Sequence, residues 1–198
     1  MFKLPTGVDI NNLIDDLRIF SWEAADILLH YSKMLKEPTY KMNIIKTKNA
    51  DDPVTIADLK VNDLIIKRIR ENYENINWDL LSEENVKSGI HDFNRKSKWL
   101  WVLDPLDGTK DYIQGTGNYA MHLALNYEQK SCIGMVLIPE KNELWISDGK
   151  NTWSENRDGH KKKIKLNNSK TFQEMTLVTS KNHRNENLEN LIVKANFK

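Results

Sequence analysis

Apolar and polar positions alternate in two different rhythms along this chain. Between Ile10 and Leu35, apolar residues recur at Leu13, Ile14, Leu17, Ala24, Leu28 and Tyr31, in steps of three and four residues. That spacing lines one face of an α-helix. Asp9 or Thr6 is placed to cap its start, and Pro38 to end it. Residues 39–52 are polar and predict a connector holding one short strand, Met42-Asn-Ile-Ile45. Behind Pro53, Thr55-Ile-Ala-Asp58 has the form of a capping box. Val61, Leu64, Ile65 and Ile69 then carry a second helix to about Tyr73.

Beyond Trp78 the rhythm changes. Trp78 to Glu84 predicts a strand ending in two carboxylates, followed by a polar loop over 85–97. Trp99-Leu-Trp-Val-Leu103 is a continuous apolar run with β-favouring residues, which predicts a buried strand stopping at Asp104-Pro105. Tyr119–Asn126, Ser131–Pro139, Glu143–Ser147, Thr152–Glu155 and Lys161–Lys165 read as an antiparallel meander, with tight turns at Asp148-Gly149 and Asp158-Gly159. Glu174–Ser180 predicts one more strand, and Asn185 to Ala195 a helix. The sum is an α+β fold: two long N-terminal helices on a mostly antiparallel sheet of about six strands. Residues 1–170 are expected to form this first domain, and 171–198 the beginning of a second, α/β domain.

Composition narrows the function. Lys and Arg number 29 against 28 Asp and Glu, a net charge of +1, so no broad basic surface speaks for nucleic acid or an anionic membrane. The longest apolar run, Trp99 to Leu103, is far short of the ~20 residues of a membrane span. The N-terminal residues lack the apolar stretch of a signal peptide. A single cysteine, Cys132, excludes an internal disulfide and suits a reducing, cytoplasmic location.

The chemistry concentrates at Asp104-Pro-Leu-Asp-Gly-Thr109. Two carboxylates three residues apart follow a buried strand, and Gly108 allows a sharp turn or a close ligand approach. A short helix starting near Asp107 would direct free N–H groups at an anion. Carboxylates beside an anion site need a cation between them, and an all-oxygen donor set favours Mg²⁺. The plain alternative is an ordinary strand-end turn. Asp58 is equally a helix cap, and Glu83-Glu84 equally a solvated strand end.

Pro53-Val-Thr-Ile-Ala-Asp58, Ser82-Glu-Glu84 and Asp104-Pro-Leu-Asp-Gly-Thr109, in this order and spacing, resemble the motifs of the inositol-monophosphatase-like superfamily of Mg²⁺-dependent, lithium-sensitive phosphatases. The resemblance implies two or three Mg²⁺ ions. Glu83, Asp104 and the Leu106 carbonyl would hold one, Asp104 and Asp107 a second, and Asp58 would act through water or on a further ion. Thr109 and Glu83 would orient the attacking water, with Lys48 nearby, and the Gly108 and Thr109 amides would cradle phosphate. The implied reaction is direct in-line attack of an activated water, without a phospho-enzyme. Lys110 directly after Thr109, with Gly115 five residues on, looks like the branch resembling the bisphosphate nucleotidases of sulfur assimilation, which remove the 3′-phosphate of 3′-phosphoadenosine 5′-phosphate. An inositol or sugar monophosphatase is the alternative within the family. Thr179-Ser-Lys-Asn-His183 resembles the segment opening the family's second domain, making Ser180 and His183 candidates for substrate contact. His122, in mid-strand, reads as a packed or cross-strand residue.

The family's Trp-Asp-x-Ala motif, whose Asp is a metal ligand, does not occur in this sequence. The expectation is therefore a first domain followed by a shortened second one, and weak or no phosphate-ester hydrolysis. A non-catalytic module binding metal and phosphate is the reading of another class. The partner expected is a small phosphorylated metabolite, with a homodimer possible.

Overall fold

A computed structural model describes residues 3–46, 53–89, 97–165, 171, 174–179 and 185–195. It contains two compact units, Met1–Ile164 and Lys165–Lys198.

In the first unit, helix α1 spans Ile10–Leu35 and is capped by the Asp9 carboxylate, which accepts hydrogen bonds from the amides of Asn11 and Asn12. Helix α2 covers Pro38–Ile44 and α3 Ile56–Asn72. Strand β1 (Asp79–Ser82) leads directly into the short helix α4 (Glu83–Lys87). Strand β2 (Trp99–Asp107) runs to the one-and-a-half-turn helix α5 (Thr109–Gln114). Strands β3 (Ala120–Tyr127), β4 (Lys130–Ile138), β5 (Glu143–Ser147), β6 (Thr152–Glu155) and β7 (Lys161–Lys163) complete a sheet in the order β1 to β7. Every neighbouring pair is antiparallel except β1 with β2, which is parallel.

One face of the sheet is covered. Trp101, Leu103, Met121, Leu123, Leu125, Ile133, Met135, Leu137, Leu144 and Ile146 alternate toward the apolar stripe of α1 (Leu13, Leu17, Phe20, Ala24, Leu28) and toward Ala57, Val61, Ile65 and Ile69 of α3. Period-two strand residues meet period-3.6 helix residues, and each buries the face that would otherwise be wetted.

The predicted α+β architecture holds, with four local corrections. Met42–Ile45 is not a strand: Met42 to Ile44 lie in α2, and Ile45 makes only an isolated bridge to Thr55. Pro38 explains this, because its fixed φ suits the first position of a new helix. The strand expected to end in Glu83-Glu84 stops at Ser82, and both carboxylates open α4, where the helix dipole favours them. Strand β2 does not stop at Asp104-Pro105. Its pairing with β3 slips between Asp104 and Asp107, a bulge that accommodates a proline lacking an N–H. Residues 174–179 form no strand, since none of them joins a ladder among the described residues, and Ser180 lies outside those residues.

In the second unit, α6 spans Glu186–Ala195 as the sequence predicts, and none of its residues is buried.

Candidate metal and phosphate site

Parallel pairing fixes the first relation. Leu81 lies beside Val102 and Ser82 beside Leu103, so the ends of β1 and β2 sit side by side. Glu83, one residue past β1, and Asp104, one residue past that register, therefore adjoin. Their carboxyl groups hydrogen-bond to one another.

This proximity has an electrostatic cost. Burial, the adjoining Glu83 and the negative charge of Asp107 together push the Asp104 carboxyl up to about 7 from an ordinary 3.8. Lys87, one helical turn along α4, offsets part of the charge by pairing with Glu83 at 2.8 Å. The sequence reading passed over Lys87, although its i, i+4 spacing from Glu83 is a visible signal.

Behind the Glu83 corner, buried Ser82 donates a hydrogen bond to the Asn62 side-chain oxygen of α3. The Asn62 amide nitrogen lies 3.3 Å from the Asn85 side-chain oxygen. This network ties α3 to the β1–α4 junction.

Asp58 arrives from the other side, and its two oxygens divide the work. Oδ2 accepts the backbone N–H of Thr55 at 2.9 Å and the Thr55 hydroxyl at 2.6 Å, which closes the capping box. Oδ1 lies 3.3 Å from the Thr109 hydroxyl of α5. The helix-cap reading of Asp58 is therefore correct, and its second oxygen faces Thr109. Burial pushes its carboxyl up, against the Thr55 hydrogen bonds that pull it down.

Thr109 sits at the junction of these groups. Its hydroxyl is also 3.0 Å from the Leu106 carbonyl, so one proton faces two acceptors. The Leu106 amide donates in turn to Asp104 Oδ1 at 3.1 Å. The turn between Leu106 and Thr109 depends on Gly108, whose φ is +85°. A Cβ there would meet the Asn118 carbonyl at 2.7 Å, so the tight approach of the β3 entry requires glycine. Tyr112 then pins α5 to α1: its buried hydroxyl donates to the Leu28 carbonyl at 2.6 Å.

Asp58, Glu83, Asp104, Leu106, Asp107, Gly108 and Thr109 thus lie in one corner of the first unit. Lys110 is exposed on α5 beside it. Lys48, Ser180 and His183 lie outside the described residues. His122 is a cross-strand residue, opposite Asp104 in register. It is half-exposed, however, and its Nε2 stands 3.9 Å from Asp107 Oδ2.

The donors fit a hard divalent cation in kind: three carboxylates and one backbone carbonyl. Among the described residues, no three His, Cys, Asp or Glu side chains converge as a finished cage. Binding would have to draw the carboxylates together; 60% of the Asp107 side chain is exposed.

Comparison with known proteins gives the family. Residues 19–198 match the inositol monophosphatase family. The 3′(2′),5′-bisphosphate nucleotidase CysQ of Buchnera aphidicola is 29% identical over 76% of this chain and 54% of its own length. An inositol monophosphatase of Dictyostelium discoideum is 28% identical over 63% of this chain and 44% of its own. The crystal structure of the extragenic suppressor protein suhB from Bartonella henselae superimposes with a TM-score of 0.63 at 18% identity, covering 82% of this chain and 57% of that one. The chain spans about half the length of the curated relatives it matches.

Proposed function

This chain belongs to the inositol monophosphatase family, and from that premise we propose that its corner of carboxylates serves a Mg²⁺-dependent phosphomonoesterase acting on 3′-phosphoadenosine 5′-phosphate. The observation that carries the reading is the meeting of three separate sequence motifs around Thr109 and Asp104. A strand-end turn would need none of the other two motifs nearby.

The roles follow from the contacts. Glu83, Asp104, Asp107 and the Leu106 carbonyl would hold Mg²⁺, with Asp58 contributing from α3. Bound there, the ion would lower the pKa of a water and neutralise charge on the transferring phosphoryl group. The Thr109 hydroxyl, held between Asp58 Oδ1 and the Leu106 carbonyl, would orient that water. The Gly108–Thr109 amides, at the start of α5, would receive the phosphate oxygens. The nucleotide substrate is favoured by Lys110 and by the bisphosphate nucleotidases among the relatives. The Dictyostelium relative supports an inositol monophosphate as the second reading.

Phosphate release from 3′-phosphoadenosine 5′-phosphate and from inositol 1-phosphate, measured with Mg²⁺ and repeated with lithium, tests the proposal. Slow release from the nucleotide, in line with the shortened second domain, that stops in Asp104→Asn and falls with lithium is the expected result. Faster release from inositol 1-phosphate moves the assignment to the second reading. Mg²⁺ binding by calorimetry without any turnover makes this chain a binding module. Neither binding nor turnover overturns the assignment.

A further inference from the structure

The site proposed above lies where β1 and β2 end, and the strand order puts β7 at the opposite edge of the sheet. Among the described residues, no strand pairs with the outer side of β7. Its inner side is fixed by β6. Lys162 stands opposite Ser154 in an antiparallel register. The His160 carbonyl accepts the Asn156 N–H at 3.2 Å, and the Ile164 N–H donates to the Thr152 carbonyl at 3.0 Å. Antiparallel bonding alternates along a strand, so His160, Lys162 and Ile164 turn their backbone groups toward β6. Lys161 and Lys163 turn theirs away from the sheet.

The side chains of this edge carry one sign of charge. Lys161, Lys162 and Lys163 are all exposed. The carboxylates of the Thr152–Lys163 hairpin are Asp158, in the turn, and Glu155, whose side chain is fully buried. Lys161 keeps 56% of its side chain exposed, with its Nζ 3.9 Å from Glu155 Oε2 and 5.9 Å from the centre of the Trp153 ring. With a net charge of only +1 for the whole chain, this cluster is a local concentration. Lys161 and Lys163 project to one face of the sheet and Lys162 to the other. Such an edge repels a second basic edge, that of another copy of this chain included, because like charges directly opposite are destabilising. A strand bearing carboxylates meets no such barrier.

We propose that β7 docks an extended acidic segment of a partner protein, which adds to the sheet as an antiparallel strand. The outward N–H and C=O groups of Lys161 and Lys163 would form the ladder, and their ammonium groups would select Asp or Glu at every second position of the segment. A peptide fits better than a nucleic acid, since outward backbone groups at alternate residues match a strand, whereas phosphates would use the ammonium groups alone. No residue of the phosphatase site takes part, so either proposal can fail without the other.

The test is titration of the intact, ¹⁵N-labelled chain with a short end-blocked peptide of alternating Glu and Val, read by NMR. Amide hydrogen exchange at Lys161 and Lys163 should slow on binding, while that at Lys162, already bonded to β6, should not change. The same peptide N-methylated at each Glu keeps its charge and loses the donors that would face β7; it should bind roughly tenfold more weakly. The Lys161→Glu/Lys163→Glu double variant, shown folded by circular dichroism, should lose affinity for the unmethylated peptide to a similar degree.

Equal binding of the two peptides without protection of Lys161 and Lys163 overturns strand addition, because charge alone then accounts for the contact. Tighter binding of a single-stranded oligonucleotide than of the peptide overturns the choice of partner. Absence of peptide binding at millimolar concentration overturns the proposal as a whole.

Discussion

Asp104 shows how one residue carries both a functional and a thermodynamic signature. Its carboxyl is raised to about 7 because burial, Glu83 and Asp107 all disfavour its charge. A folded-state value above the ordinary one means that the folded protein binds this proton more tightly than the unfolded chain. The stabilisation is complete below about pH 4, where the acid is protonated in both states. It is lost as pH rises toward 7, and above that the buried charge is a constant penalty. Asp58, also raised by burial, acts in the same direction. The metal-free protein, kept in chelator, should therefore unfold at lower denaturant concentration at pH 8 than at pH 5. The Asp104→Asn variant should flatten that dependence, because an amide carries no charge at either pH. Denaturation midpoints at the two pH values check this, and an equally steep dependence in the variant would remove Asp104 as its source.

At the scale of elements, the sheet is held to α1 by a buried ion pair far from the site. Glu155 at the end of β6 has a fully buried side chain. It receives two nitrogens of Arg18 from α1, the second at 3.2 Å, and the indole N–H of Trp153 at 3.0 Å. Removing one partner of a buried pair strands the other charge, at about 3–5 kcal/mol. Arg18 keeps 22% of its side chain exposed and retains Asp15 as a second carboxylate partner, so Glu155→Leu should cost about 3 kcal/mol, no more than the low end of that range. For a chain of this size that is a drop in melting temperature of about 6–12 °C. Pairing it with Arg18→Met should recover at least half of the drop, because the stranded charge is then gone; calorimetric melting of the single and double variants measures both.

That pair also marks what the sequence could not disclose. The helices α1 and α3 and the meander were legible because each carries its own period, from Leu13 to Leu28 on one side and from Met121 to Ile146 on the other. The partnership of Arg18 with Glu155, 137 residues apart, has no local signal. Neither does the adjacency of Glu83 and Asp104, which depends on parallel pairing of β1 with β2. The motifs named the site residues through their resemblance to a family, and only the register shows which of them touch. The misread stretches are those where one residue serves two elements: Pro38 between two helices, Glu83 between strand and helix, and Pro105 inside a bulge.

The whole molecule divides unevenly. Among the described residues, the buried hydrophobic core lies between Leu13 and Ile146, within the unit Met1–Ile164. In the unit Lys165–Lys198, Val178, Leu191 and Val193 are 88%, 63% and 77% exposed. Apolar burial is the main source of cooperative stability, so the unit holding the core should carry the unfolding transition. A protein ending at Ile164 should keep a single cooperative transition within a few degrees of that of the full chain. Its Mg²⁺ affinity should also be retained, since Asp58, Glu83, Asp104, Leu106 and Asp107 all lie before residue 165. The exposed apolar side chains of 165–198 should in turn bind a hydrophobic dye, and that signal should fall on shortening. Scanning calorimetry, Mg²⁺ titration and dye fluorescence on the two lengths test each part. Loss of the cooperative transition on shortening would mean that residues 165–198 stabilise the first unit.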